Sequence, residues 1–219
     1  MQRSFMKENK FITKIFEIKR NNFNKTRLLK VVNIIKRENN YSILSKLSKE
    51  LIIEYLIIAA HSKKLFLFVI QEKNKIIGYS LYAENEDALT TEFKKMKYKI
   101  FWFLLSNGKI ISMINIFFAL SKLDLIFVNF FKKKETKKIL NLNLLAIEKK
   151  YQSKGLGKHF IEKTLKYLQK SGLRFSYVSC EAPNIRALKF YKQNNFKLVG
   201  KKIRLFKNLF LLKRKVNEL

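Results

Sequence analysis

The 219 residues (26.2 kDa) are 47% hydrophobic and 14% aromatic, which excludes a disordered chain, and one Pro with six Gly excludes collagen-like and linker-rich designs. A single cysteine, Cys180, excludes an intramolecular disulfide framework and a Cys-x-x-Cys zinc site; with His61 and His159 98 positions apart, no metal is expected. The net charge is +31, but 39 of the 47 basic residues are Lys, and Lys, Asn, Ile and Phe rising together is what codon drift in an AT-rich genome produces, so most of this charge reads as solvated surface without a specific nucleic-acid partner.

Residues 1–10 read as a loose tail, and they contain no apolar run of the roughly 7–15 residues that a signal peptide needs, so a cytoplasmic location is expected. Residues 11–18 alternate as a strand does, and 24–38 place Leu28, Val31, Val32 and Ile35 at helical spacing. A second helix is predicted over 44–61, with Leu44, Leu47, Leu51, Tyr55 and Ile58 on one face. Residues 64–72 and 76–84, joined by Lys73-Asn74-Lys75, form a predicted β-hairpin. The stretch 85–139 does not alternate and reads as helical. Its longest uncharged runs, Ile100 to Gly108 and Ile110 to Ser121, hold 9 and 12 residues. A membrane-spanning helix needs about 20, so buried or interfacial helices are expected. Beyond it, 141–147 is a short apolar strand, 155–172 an amphipathic helix closed by Gly172, and 174–181 a strand. Residues 184–195 form a helix, and two more strands follow. Helix and strand alternate, which gives an α/β or α+β class around a central sheet.

Between a strand and a helix stands Gln152-Ser153-Lys154-Gly155-Leu156-Gly157-Lys158. Successive backbone N–H groups and the positive end of a helix dipole suit a phosphate there, and glycines let it approach. A Walker loop is excluded, because no second Gly stands at its spacing. A dinucleotide Gly-x-Gly-x-x-Gly loop would need a small residue where Phe160 stands, although Glu181 at the end of the next strand is where a ribose-binding acid would fall. The Gln/Arg-x-x-Gly-x-Gly/Ala pyrophosphate loop of acyl-CoA-dependent N-acyltransferases matches at every position. Two glycines that merely begin a helix are the plain alternative.

A second constellation follows: Asn184, Ala187, Phe190, Tyr191 and Phe196, spaced as Asn-x-x-Ala-x-x-Phe-Tyr, with Asn195 before Phe196. Together with the glycine loop and the strand Leu-Asn-Leu-Leu-Ala-Ile, this resembles the GNAT family of acetyltransferases over residues 141–200. Asn195 replaces the family's usual Gly, a mild departure, because Asn is the next-best residue for a left-handed helix cap. The resemblance implies an α/β fold, the GNAT acyl-CoA N-acyltransferase fold: a central mixed, splayed β-sheet flanked by helices, with a helical insert between the third and fourth strands. It implies one domain over 1–219, made of an N-terminal strand-helix-helix-hairpin (11–84), the insert (85–139) and an acetyl-CoA-binding core (140–213).

By the same resemblance, backbone groups of Leu145, Ala146 and Ile147 bind the pantetheine arm and polarise the thioester carbonyl. Gln152, Lys154, Gly155, Leu156, Gly157 and Lys158 hold the pyrophosphate, and Asn184 contacts the cofactor or caps its helix. Tyr191 protonates the departing thiolate; its alternative role is a core aromatic. Glu181 is the leading candidate base, with Glu148 the other. Cys180 reads as a small buried hydrophobe, and His159 as a residue on the helix exterior. Glu84, Glu86, Asp87 and Glu92 either attract a cationic amine or favour a helix N-terminus.

The function implied is transfer of acetyl from acetyl-CoA to a primary amine of a small molecule, with an amino sugar of surface polysaccharide synthesis as the preferred acceptor. A protein or peptide amine is the second enzymatic reading. A basic membrane- or nucleic-acid-associated module without turnover is the reading from another class. Peripheral membrane contact through 85–139 and a homodimer are left open.

Overall fold

The computed structural model describes residues 13–39, 42–94, 96–106, 139–170, 172–204 and 207–216. The first strand, β1 (Thr13–Ile18), leads into α1 (Lys25–Glu38). Asn24 starts that helix because its Oδ1 accepts the Arg27 N–H at 2.8 Å. The second helix begins later than its apolar spacing predicts. Leu44 and Leu47 are buried in and just after a 3-10 turn (Ile43–Lys46), and Ser48 then caps α2 (Lys49–His61) by accepting the Leu51 N–H. Strands β2 (Leu65–Glu72) and β3 (Lys75–Ala83) form the expected hairpin. Its loop is only Lys73-Asn74, with φ of 43° and 63°. Two left-handed residues in a row match the twist of the flanking strands, and Lys75 therefore belongs to the strand.

Helices α3 (Glu86–Lys94) and α4 (Lys97–Ser106) follow, as the stretch 85–139 predicts at its start; residues 107–138 of that stretch lie outside the described residues. The C-terminal part runs β4 (Ile139–Ile147), a 3-10 turn (Lys149–Tyr151), α5 (Leu156–Gln169), β5 (Phe175–Glu181), α6 (Ile185–Gln193), β6 (Lys197–Arg204) and β7 (Lys207–Lys215). Among the described residues no helix is long and apolar enough to cross a membrane.

The seven strands form one sheet in the order β1-β2-β3-β4-β5-β7-β6. Every neighbouring pair is antiparallel except β4 and β5. Helices α1 and α2 cover one face, with Leu28, Val31, Val32 and Ile35 packed in the layer of Leu67, Val69, Tyr79 and Leu81. The other face lies under α5 and α6, where Phe160, Ile161 and Leu165 join Tyr82, Leu142, Val178 and Leu212. The apolar stripe of the amphipathic helix, Leu156, Phe160, Ile161, Leu165 and Leu168, is buried on α5. Burying each such side chain contributes about 1.5–3 kcal/mol, so packing rather than propensity holds α5 in place.

The position that carries Asn instead of the family's Gly behaves as its backbone demands. Asn195 has φ of 62°, the Phe196 N–H reaches the Tyr191 carbonyl at 3.1 Å, and the Asn195 N–H reaches Lys192 at 3.2 Å. This pair of bonds is a Schellman closure of α6. Asn195→Ala is expected to lower Tm by about 2–4 °C, from a left-handed strain of about 1 kcal/mol, whereas Asn195→Gly leaves it unchanged or higher. Equal melting temperatures for the two variants in calorimetry would refute the strain argument.

Candidate active site

The site begins with a break in the sheet. β4 and β5 pair only from Ile139↔Phe175 to Leu142↔Val178. Beyond that point β4 stays with β3 as far as Ile147↔Gly78, and β5 stays with β7 as far as Glu181↔Leu209. The pairing of β3 to β4 jumps from Tyr82↔Leu142 to Leu81↔Leu144, so Asn143 is an extra, bulged residue. A bulge bends its strand, and this one stands where the parallel pairing stops. The two strands therefore diverge into a gap between Asn143–Ile147 and Ser179–Glu181.

Amide direction alternates along a strand. The Glu148 N–H donates to Ile77 on β3 at 2.8 Å, so the amides of Ala146 also face β3, while those of Leu145 and Ile147 face the gap. Of the three predicted backbone contacts, two are thus exposed to the gap and one is engaged in the sheet. Segment 85–139 leaves and rejoins the sheet at the closed end of the gap, because Ala83 pairs with Asn141.

At the open end lies the glycine loop. Gly155 occupies the N-cap of α5 with φ of 79°, and it offers no side chain to the helix. The first helical hydrogen bond is His159 N–H to Gly155 at 3.1 Å. The N–H groups of Leu156, Gly157 and Lys158 consequently have no acceptor within the helix. Lys154 and Lys158 are exposed beside them. Gln152 turns inward: its Nε2 donates to the Ile147 carbonyl and reaches Glu38 at 3.4 Å, while the Lys149 N–H donates to Glu38 at 3.1 Å. Gln152 and Glu38 thereby fasten the loop to the ends of β4 and α1. Gly157 serves packing: a Cβ there would stand 2.8 Å from the Phe190 ring of α6. These features fit a pyrophosphate-bearing thioester ligand, with unpaired strand amides for an extended arm and a side-chain-free helix N-terminus for the phosphates.

Tyr191 of α6 is 9% exposed and meets Phe190 and Phe196 edge-on, at centroid distances of 5.4 and 5.5 Å. Burial first, then the neighbouring Cys180 and Tyr82, push its phenol well above the ordinary range. Tyr79, on β3 beyond β4, also feels its charge. Tyr191 shares the buried layer of Cys180 and Tyr82 on the α5/α6 side of the sheet. Cys180 is buried, its Sγ directed to the carbonyls of Glu181 and Asn184, and burial, then Glu181, pushes the thiol up to about 11. That is the small buried residue expected, inert as a thiolate nucleophile.

Since Cys180 faces the α5/α6 layer, alternation turns Glu181 to the opposite face. Tyr191 and Glu181 therefore approach the gap from opposite sides of the sheet. Glu148, the other candidate base, is bound to Arg37 at 2.9 Å and Lys75 at 3.3 Å, and so ties α1 to β3. Asn184 caps α6, its Oδ1 accepting the Ala187 N–H at 3.0 Å. His159 is half-buried rather than outside, and burial and Lys163 lower its pKa. In the acidic cluster Asn85 caps α3 through the Ala88 N–H at 2.7 Å, which puts Glu86 and Asp87 in its first turn, and Glu92 is buried and accepts from Ser62. The helix-N-terminus reading fits Glu86 and Asp87, whereas Glu92 lies in the last turn of α3. Sequence reasoning missed the bulge at Asn143, the anchoring by Glu38 and the Gly157–Phe190 contact.

Comparison with known proteins agrees with this geometry. The model of the acetyltransferase (GNAT) family matches residues 28–196. A search of curated proteins finds no match. Among solved structures, a spermidine N-acetyltransferase chimera from Vibrio cholerae and hSSAT superposes with a TM-score of 0.59 at 14% identity, covering 94% of this chain and 96% of the other. The ribosomal-protein alanine N-acetyltransferase of Escherichia coli gives 0.55 at 13%, covering 94% of each chain. The PaiA N-acetyltransferase of Thermoplasma acidophilum, solved with coenzyme A, gives 0.55 at 12%, covering 93% and 98%. At such identities these likenesses speak for the fold, and the family match spans most of the sequence: the chain belongs to the GNAT family of acetyltransferases.

Proposed function

We propose that this enzyme, a single domain over 1–219, transfers acetyl from acetyl-CoA to the primary amine of a small molecule in the cytoplasm. The observation that carries the reading is the gap between β4 and β5, with the helix N-terminus of α5 at one end and Tyr191 beside it. Acetyl-CoA, when bound, supplies the activated acetyl group. The N–H groups of Leu156, Gly157 and Lys158, with Lys154 and Lys158, hold its phosphates. The gap-facing amides of Leu145 and Ile147 hold the arm and donate to the carbonyl being attacked, while Ala146 keeps β4 attached to β3. Gln152 and Asn184 act as positioning residues through the bonds they make to the loop and to α6. Tyr191 holds its proton at neutral pH and delivers it to the leaving thiolate. Glu181 stands on the other face, where it can accept the proton that an ammonium acceptor must lose.

The test is thiol release from acetyl-CoA across a panel of amino sugars, polyamines and peptide N-termini. Turnover with a small amine is expected, and Glu181→Gln should lower kcat by about 10²-fold or more, an effect strongest at low pH where the acceptor is most protonated. Exclusive turnover of peptides would select the protein-amine reading, for which the Escherichia coli enzyme is a structural precedent. No release from any amine, together with cofactor affinity abolished at about 1 M salt, would mark a basic binding module and overturn the proposal.

A further inference from the structure

We infer that the outer face of α4 is a docking surface for an anionic membrane. This stands independently of the acetyltransferase reading. α4 is apolar on two sides. Ile100 is fully buried and Met96, just before the helix, nearly so, and Phe103 packs with them against the α1/α2 layer. On the outside, Tyr98, Phe101, Trp102 and Leu105 are 69%, 42%, 65% and 44% exposed. Their spacing of i, i+3, i+4 and i+7 makes one continuous stripe along the helix. Nine large hydrophobics are exposed among the described residues, and four of them lie on this ten-residue helix, so the exposure is concentrated and not scattered.

Charge decides what covers the stripe. Lys94 at the end of α3 is exposed, as are Lys63 and Lys64, and the hydrogen bond from Ser62 to Glu92 holds that turn against α3. Two of the nearby acids are engaged: Glu54 pairs with Lys99 at 2.7 Å, and Glu92 is buried. The sequence of α4 contains no acid. A second copy of this chain would bring a net +31 to meet +31, whereas an anionic lipid surface is complementary to it. Tyr and Trp, with an apolar body and a polar tip, suit the boundary between headgroups and acyl chains. Ten residues of helix span only about 15 Å, so α4 would lie in the interface plane and not cross it.

Trp102 is the only tryptophan of the chain, so its fluorescence reports on this face without labelling. The full-length protein is titrated with phosphatidylcholine vesicles containing about 30% phosphatidylglycerol, and with phosphatidylcholine alone. Expected are a blue shift of Trp102, its quenching by brominated acyl chains and co-sedimentation with the anionic vesicles only, weakened at least about tenfold at about 1 M salt. The double variant Phe101→Glu with Leu105→Glu should lower vesicle affinity at least about tenfold. Its acetyl-CoA affinity and melting temperature should stay unchanged, because both side chains are exposed. The proposal is overturned if neither vesicle shifts Trp102, or if emission is already blue in the lipid-free monomer, which would mean that another segment of the chain covers the stripe. It is equally overturned if the blue shift follows protein concentration along with dimerisation in light scattering, or if the double variant binds vesicles as well as the parent, which would be adhesion through lysines elsewhere.

Discussion

Tyr191→Phe is expected to leave acetyl-CoA affinity unchanged and to slow turnover by at least about tenfold, and by as much as 10⁴-fold. The substitution removes one oxygen and keeps the ring, so the edge-on contacts with Phe190 and Phe196 survive. What is lost is a proton. A phenol of ordinary pKa about 10 gives its proton to a thiolate of about 8.5 only when the two are held together, so the interaction is made on the reaction path and not in the ground state. It should therefore appear in kcat and not in the dissociation constant. Burial, Cys180 and Tyr82 raise the phenol further, which keeps the donor form through neutral and moderately alkaline pH. No loss of kcat from this group is then expected until the pH passes the ordinary tyrosine value of about 10. The same shift has a stability consequence of definite sign: the folded chain holds a proton that the unfolded chain releases, so stability is fully present below about pH 10 and declines as pH rises above it. A kcat within about twofold of the parent would return Tyr191 to the role of a core aromatic, since a positioned proton donor contributes far more than that.

The parts of the fold legible from the sequence are those set by periodicity and by caps. Leu28, Val31, Val32 and Ile35 are buried where their spacing puts them, and Asn24 starts the helix they lie on. The hairpin is written in the two apolar runs that become β2 and β3 and in the polar break between them, although the turn is one residue shorter than Lys73-Asn74-Lys75. Asn195 could be placed in a left-handed cap because few other residue types tolerate that backbone. What could not be read is pairwise and long-range. Nothing in Leu-Asn-Leu-Leu-Ala-Ile announces that Asn143 is surplus to its partner strand, because a bulge is a property of two strands. Glu148 looks like a base near the end of β4 until Arg37 and Lys75, from two other elements, are seen to hold it. Gln152 looks like a phosphate ligand until its side chain is found bonded to Ile147 and Glu38, the latter 114 positions away. The chemistry-bearing residue types were visible; which of them face the gap depended on strand pairing.

Gly157→Val is expected to weaken acetyl-CoA binding at least about a hundredfold while the chain still folds, and the structure gives the reason more sharply than the motif does. A Cβ at 157 would stand 2.8 and 3.0 Å from the Phe190 ring and 3.9 Å from Ile147 Cδ1, and valine adds two methyl groups to that. The first turn of α5 must then move away from α6, and with it the three N–H groups that form the phosphate site. Overpacking of this kind costs about 1–3 kcal/mol, less than the 5–15 kcal/mol of a typical domain, so a folded protein with a displaced loop is the expected state. Gly155 provides the contrast. Its Cβ would meet nothing within 4 Å, and only its φ of 79° opposes a side chain, so Gly155→Ala should carry a strain of about 1 kcal/mol and a smaller loss of affinity. Phe190→Ala opens the space under Gly157. If collision with that ring displaces the loop, Gly157→Val with Phe190→Ala binds acetyl-CoA better than Gly157→Val alone, with a coupling of about 0.5–3 kcal/mol in calorimetry. If the two changes simply add, the valine side chain obstructs the ligand directly. Unchanged affinity in Gly157→Val itself would contradict both accounts and remove residues 152–158 from the binding site, because no helix start can accept that contact and keep its amides in place.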